Sequence, residues 1–238
     1  MDWKPGQRRA ERQRGALSTA GEQRSLPAGP QERREGGRSL RPRGILAQRG
    51  EDGIRVIVMA GGRGSRLGFV EKPALRVCGR PLIEAALAAA SELGEPLLCT
   101  SGSTPLTEEL YCGRVRCLRG SGDYVSDLAL SLEAAGTPAL VLPADMPFID
   151  RAVPELRAFV GLATRSRAEV VTLNACRGGR CWQTGISLFR APAGEWEDIF
   201  ISWRPALLDV DTAEDLEEAT ALCGTMGEGG RGTGRTSA

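Results

Sequence analysis

Histidine is absent from the 238-residue chain. That excludes Ser-His-Asp and Cys-His catalysis and histidine-ligated zinc. Any catalysis has to rest on carboxylates, Lys and Arg, backbone amides and a hard cation with oxygen ligands. Lysine is almost absent as well: the 31 Lys+Arg residues include only Lys4 and Lys72 as lysines. No run of about 18 apolar residues exists to form a transmembrane helix, and the first residues lack the apolar stretch of a signal peptide. The expectation is a soluble cytoplasmic protein with no membrane span. No cysteine pair has Cys-x-x-Cys spacing. The seven cysteines, Cys78, Cys99, Cys112, Cys117, Cys176, Cys181 and Cys223, are odd in number and poorly spaced for zinc. They are expected to be reduced, mostly buried thiols.

The net charge of +1 gives no overall field for nucleic acid or membrane. It conceals an asymmetry. Residues 1–53 carry 12 basic and 7 acidic residues, whereas 54–224 carry 17 and 22. The first 53 residues are rich in Arg, Gly, Pro, Gln and Ser and poor in large apolar residues, so they are expected to be a disordered basic extension. The Gly-rich tail 225–238 is expected to be disordered too. Residues 54–224 then form one domain, with 41% hydrophobic residues in the whole chain to build its core.

That domain opens on its most informative stretch, Ile54 to Pro73. Val56 to Ala60 is an apolar run of one buried strand's length. Gly61, Gly62, Gly64 and Gly68 follow, then Glu71-Lys72-Pro73. Glycines directly after a buried strand let the backbone approach a ligand closely, and successive amides there can cradle phosphate. Arg63, Arg66 and Lys72 add positive charge. In a chain that otherwise uses arginine, the Lys72 position calls for a compact point charge that a planar guanidinium does not replace. The pattern is neither a Walker P-loop nor Gly-x-Gly-x-x-Gly.

Downstream, strands and helices alternate. Helices are predicted over 81–94, from Thr104 as N-cap to about Tyr111, over about 123–135, from Asp150 as cap to about 163, and from Thr212 to about 222. Strands are predicted at 96–100, 115–118, 139–143, 169–174, 183–189 and 207–210. Residues 195–203 are ambiguous, with Trp196, Ile199, Phe200 and Trp203 at helical spacing. Thr212 and Asp215 fit a capping box, with Asp215 favoured by the helix dipole. The alternation predicts an α/β fold in three layers, a mostly parallel central sheet covered on both faces. Ligands of such sheets sit beyond the carboxyl ends of the strands. The first glycine loop, a second one at Gly120-Ser-Gly-Asp-Tyr124 and Asp145 all fall there.

Asp145, in Pro-Ala-Asp-Met-Pro, is a candidate ligand for Mg2+ against triphosphate oxygens. Asp211, with Asp209 as the alternative, is a further carboxylate just after the last predicted strand. Gly61, Gly62 and Gly64 amides can hold a triphosphate, while Arg66 and Lys72 can stabilise negative charge beside it.

The stretch Ala60-Gly-Gly-Arg-Gly-Ser-Arg-Leu-Gly with Lys72-Pro73 resembles the N-terminal signature of nucleotidyltransferases that move a nucleoside monophosphate from an NTP to a phosphorylated acceptor. Asp211-Thr212 resembles their late motif, which implies Asp145 and Asp211 as the metal pair. Further pieces, Val70 to Pro73, Val77-Cys-Gly-Arg-Pro-Leu-Ile83, Thr100-Ser101 with Thr104-Pro105, the 120–128 loop and Gly185-Ile186, resemble the archaeal GTP:adenosylcobinamide-phosphate guanylyltransferases within the MobA-like NTP transferases. The resemblance spans about residues 54–222. It implies a Rossmann-like nucleotidyltransferase fold, GTP as donor, Mg2+, and adenosylcobinamide phosphate as acceptor, giving adenosylcobinamide-GDP and pyrophosphate. Nucleotide binding falls on Ala60, Gly61, Gly62, Gly64, Ser65, Lys72, Thr100, Gly122 and Asp123, with Lys72 and Arg66 as the catalytic cations. Trp182 or Trp203 is either a corrinoid platform or part of the core. Other readings stay open: a molybdopterin or sugar-phosphate acceptor, a GTP-binding module without turnover, and nucleic-acid binding through the basic extension. A homodimer is compatible with all of them.

Overall fold

Strand β1 (Ile54–Met59) lies inside the sheet, paired on both sides, and Val56, Ile57 and Val58 are completely buried. The computed structural model describes residues 54–61, 67, 68 and 70–227. The predicted basic extension, Gly62, Gly64, Ser65 and Arg66, and the tail from 228 onward lie outside the described residues.

A seven-stranded sheet runs in the order β5-β4-β1-β6-β8-β7-β9, with β4 Gly94–Ser101, β5 Arg116–Gly120, β6 Ala139–Pro143, β7 Val170–Arg177, β8 Arg180–Phe189 and β9 Trp196–Ser202. The first four are mutually parallel, β8 runs antiparallel to β6 and β7, and β7 and β9 are parallel. β8 pairs with β6 only through Ala139–Val141. Pro143 and the turn carrying Asp145 therefore extend beyond the last rung.

Two hydrophobic layers follow from the alternation of side chains along the strands. One face holds Val56, Val58, Leu98, Leu140, Leu142, Val171 and Leu173 against helices α1 (Leu82–Leu93) and α4 (Val153–Ala163). The other holds Ile57, Met59, Leu97, Cys99 and Val141 against α3 (Tyr124–Ala135). Between α1 and β4, Gly94 meets Ile54: a Cβ there would lie 1.7 Å from the Ile54 carbonyl, so only glycine fits. A third cluster, Val77, Leu82, Phe148, Leu208, Val210 and Ala219, packs the short hairpin β2 (Arg76–Val77) and β3 (Arg80–Pro81) against α5 (Ala213–Ala221). The α/β architecture matches the expectation. No helix among the described residues is long and apolar enough to cross a membrane.

Several local expectations are corrected. Residues 196–202, ambiguous in the sequence, form a strand. Ile199 and Ile201 turn toward one core layer while Trp196 and Phe200 remain exposed, and pairing with β7 outweighs the helical spacing. Residues 207–210 form no strand. Pro205–Leu207 is a 3-10 turn, and the extended chain after it makes one rung, Val210 N–H to the Asp145 carbonyl at 3.0 Å. Asp150 caps nothing; it pairs with Arg80 at 2.8 Å from a 3-10 turn preceding α4. Pro81 ends β3, and α1 starts one residue later. The described chain continues helical through α6 (Cys223–Gly227), past the predicted domain end.

The cysteines are not all reduced. Cys78–Cys223, Cys112–Cys117 and Cys176–Cys181 are disulfides, and Cys99 is a buried free thiol. The Cys176–Cys181 pair follows from register. Gly178 and Gly179, both at positive φ, make a two-residue hairpin turn that sets the two cysteines directly opposite across β7 and β8. Trp182 and Trp203 both pack against the core, and Arg177 stacks over Trp203 at 4.4 Å, so the packing reading holds for both.

Candidate active site

Three strand or helix ends bring the charged candidates together. Asp145 follows β6, Asp211 precedes α5, and Lys72 begins a 3-10 turn, Lys72–Ala74, stiffened by buried Pro73. The Lys72 ammonium donates to Asp145 Oδ2 at 2.8 Å and to Asp211 Oδ1 at 2.5 Å. All three side chains are mostly withdrawn from solvent, with 14–19% exposed. Burial acts to lower the lysine pKa; the two carboxylates outweigh it, and the net effect is a raised value. Lys72 is thus held as a cation between two acids at neutral pH.

The α5 entry keeps Asp211 in place. The Thr212 hydroxyl accepts from the Asp215 amide, and Asp215 Oδ2 accepts from the amides of Asp211 and Thr212, completing the predicted capping box. Between the alternatives for the second carboxylate, it is Asp211, not Asp209, that meets Lys72.

Asp145 and Asp211 suit a hard divalent cation. Two carboxylate oxygens converge on one positive centre, and Mg2+ takes one or two protein carboxylates together with substrate phosphates and water. Among the described residues no group of three or more acidic or thiol side chains is placed to hold a metal ion.

The second half of the site lies where the two glycine loops meet. Asp127, a residue the sequence reading missed, is buried there. Its carboxylate accepts from Ser121 N–H at 2.6 Å, Ser121 Oγ–H at 3.0 Å and Gly122 N–H at 2.9 Å. A Cβ on Gly120 would lie 2.3 Å from this carboxylate, and one on Gly61 would lie 3.5 Å from it and from Ser101 Cβ. Gly122, at φ +90°, approaches Ser101 as well. Gly61, Ser101 and Gly122 therefore form one seam, gathered by Asp127. Its signal in the sequence was modest: an aspartate in the first turn of α3, four residues after the helix cap.

Other predicted nucleotide residues have internal duties. Asp123 caps α3, accepting from Ser126 N–H at 3.0 Å and Ser126 Oγ–H at 2.8 Å, and the Ser126 backbone bond foremost holds its carboxyl below the usual range. Thr100 is buried, and its hydroxyl donates to Glu108 at 2.8 Å. Thr104 occupies the cap position of α2 (Pro105–Tyr111) without capping it; its hydroxyl instead binds the Ser101 amide and carbonyl. Ala60 is buried, its amide bonded to the Cys99 carbonyl.

Comparison with known proteins gives the family. The family model described as MobA-like NTP transferase domain matches residues 56–231. Adenosylcobinamide-phosphate guanylyltransferase of Methanocaldococcus jannaschii is 32% identical over 100 residues, 38% of this chain and half of that protein's length. Molybdenum cofactor guanylyltransferase of Acidiphilium cryptum is 30% identical over 189 residues, 71% of this chain and 94% of that protein. Among solved structures, molybdopterin-guanine dinucleotide biosynthesis protein A of Archaeoglobus fulgidus superposes with a TM-score of 0.54 at 16% identity, covering 72% of this chain and all of that one. A glucose-1-phosphate thymidylyltransferase described from Bacillus anthracis superposes at 0.55 with 18% identity, covering 71% and 95%. The glycine seam, the Lys72-bridged carboxylates and these matches agree: the chain belongs to the MobA-like NTP transferase family and is a nucleotidyltransferase.

Proposed function

We propose that the protein moves GMP from GTP to adenosylcobinamide phosphate, releasing pyrophosphate and forming adenosylcobinamide-GDP. The observation that carries the transfer chemistry is the Lys72 ammonium held between Asp145 and Asp211. The methanogen relative, named for this acceptor, supports the substrate.

In-line displacement at phosphorus demands charge neutralisation and positioning more than covalent chemistry. Asp145 and Asp211 would hold Mg2+, which supplies positive charge to the donor's phosphates when bound. The amides of Gly61, Gly62 and Gly64 cradle the triphosphate, with Ala60 and Ser65 flanking them. Lys72 and Arg66 stabilise charge on the transferred group and on departing pyrophosphate. The acceptor phosphate arrives ionised, so no base is needed to activate it, in keeping with a chain that has no histidine. The seam around Gly122, Ser101 and Thr100 faces the task of holding the base. Asp123 keeps its helix-capping duty there.

A molybdopterin acceptor is the second reading. The Acidiphilium relative, named for the molybdenum cofactor, aligns over far more of the chain than the methanogen protein does. An acceptor screen decides between them. With GTP and Mg2+ fixed, pyrophosphate release is measured with adenosylcobinamide phosphate, molybdopterin and sugar 1-phosphates in turn. Release with adenosylcobinamide phosphate alone is expected. Release with molybdopterin alone would replace the proposal by the second reading, and binding of GTP without turnover on any acceptor would sink both.

A further inference from the structure

Helix α2 starts with Pro105, which has no amide hydrogen to satisfy. Of the next three amides, Glu108 N–H donates to the Thr104 carbonyl at 3.1 Å. Leu106 and Thr107 remain, and the helix's own cap residue does not serve them. Both donate instead to Glu71, 35 and 36 residues away: Leu106 N–H to Oε2 at 3.0 Å and Thr107 N–H to Oε1 at 2.5 Å. A carboxylate at a helix N-terminus is favoured by the dipole as well as by the two hydrogen bonds.

The neighbour of Glu71 is Lys72. One side chain of this dipeptide reaches to α2 and the other to Asp145 and Asp211. The peptide between them has little freedom. Ala74 N–H bonds to the Glu71 carbonyl at 3.0 Å and Leu75 N–H to the Lys72 carbonyl at 3.1 Å, around the fixed φ of buried Pro73. Displacing Glu71 therefore displaces the root of the Lys72 side chain. On its other side, α2 follows directly from the Ser101–Thr104 turn, and Ser101 belongs to the seam with Gly61 and Gly122.

We propose that Glu71 is a positioning residue: by seating its carboxylate on the first turn of α2, it fixes the Lys72 ammonium between Asp145 and Asp211 and ties the glycine seam to the reacting end of the site. The kinetic consequence rests on the nucleotidyl transfer proposed above; the structural consequence does not.

The scarcity of lysine supplies the test. With Lys4 and Lys72 the only lysines, 15N-lysine labelling of the full chain gives two side-chain signals, assigned by Lys4→Arg. The wild-type Lys72 signal is expected to be displaced from that of a free lysine and slow to exchange its protons. Glutamine keeps one acceptor oxygen and turns an amide donor toward the second N–H. Glu71→Gln is expected to move the Lys72 signal at least halfway toward the Lys4 signal. It should also lower kcat about ten- to a hundredfold, the scale of a small misplacement in an active site, with KM for GTP changed less than about threefold. Glu71→Asp, one methylene shorter, should give an intermediate shift and covers the case in which the glutamine variant fails to fold. An unchanged Lys72 signal in either folded variant overturns the proposal. Should the wild type show no turnover at all, the function proposed above falls, and the Lys72 signal still decides the role of Glu71.

Discussion

The Lys72 ammonium lies 2.5 Å from the Asp211 carboxylate, although 139 residues separate them in the chain. Asp145 meets the same ammonium from a third segment. One cation thus lies between two mostly buried acids and offsets part of their mutual repulsion. Removing it should damage chemistry and stability together, whereas exchanging it should damage chemistry first.

Lys72→Arg is accordingly expected to lower kcat by about tenfold or more, because a planar guanidinium does not take up the point contact of an ammonium. The unfolding midpoint should change little. Lys72→Met leaves two facing carboxylates and should also cost roughly 1–3 kcal/mol of stability at neutral pH. Urea unfolding with steady-state kinetics checks both variants, and wild-type turnover in Lys72→Arg contradicts the role assigned to Lys72.

Asp145→Ala is expected to abolish metal-dependent turnover while leaving the circular dichroism spectrum unchanged. Chelation by EDTA should silence the wild type, and excess Mg2+ should restore it. Asp211→Asn keeps one oxygen acceptor and should leave a weak activity that needs more Mg2+. Full activity of Asp145→Ala would remove the metal role from this pair.

Gly120→Ala tests the seam. The added methyl would sit 2.3 Å from the Asp127 carboxyl. Relieving that contact means withdrawing Asp127 from the Ser121 and Gly122 amides. The expected result is a loss of about 1–3 kcal/mol and a raised KM for GTP. Gly113→Ala serves as control, since a methyl there meets nothing within 4 Å. Equal behaviour of the two variants would deny Asp127 its place in the seam.

Alkaline pH gives a further expectation. Lys72 has its pKa raised because Asp145 and Asp211 outweigh burial, and burial, reinforced by Glu84, pushes the Tyr111 hydroxyl up to about 12. Both groups hold their protons longer in the folded chain than in the unfolded one. Their contributions are therefore intact below about pH 10 and are lost as pH rises toward the folded values. Urea midpoints should fall as pH rises above about 10, through these two groups. In Lys72→Met and Tyr111→Phe the fall should be shallower.

The charged core of the site was legible because each member sits in a short local pattern. Lys72 precedes a proline after a glycine loop, Asp145 ends a strand, and Asp211 precedes a capping box. Asp127 and Glu71 were not legible as organisers, because what they bind is backbone, and nothing in a side-chain pattern tells which amides the fold will leave unpaired. The same limit explains Thr104, whose place before Pro105 promised a cap that a distant glutamate supplies. β9 was ambiguous for a different reason. Trp196, Ile199, Phe200 and Trp203 satisfy helical spacing, yet the choice was made by the open edge of β7. The fold class survived these errors because the buried runs of β1, β4 and β6, alternating with helices, fit a covered, parallel centre.

The Cys78–Cys223 bond, 145 residues apart, turns most of the domain into a covalent ring. Asp145 and Asp211 belong to that ring, and so do both strands flanking β1. β1 and Lys72 do not: they form an arm that enters from outside and is clasped between β4 and β6. A single backbone cut at any loop between 78 and 223 leaves one molecule on a non-reducing gel. A cut between 61 and 72 leaves no covalent link between the glycine loop's strand and its lysine.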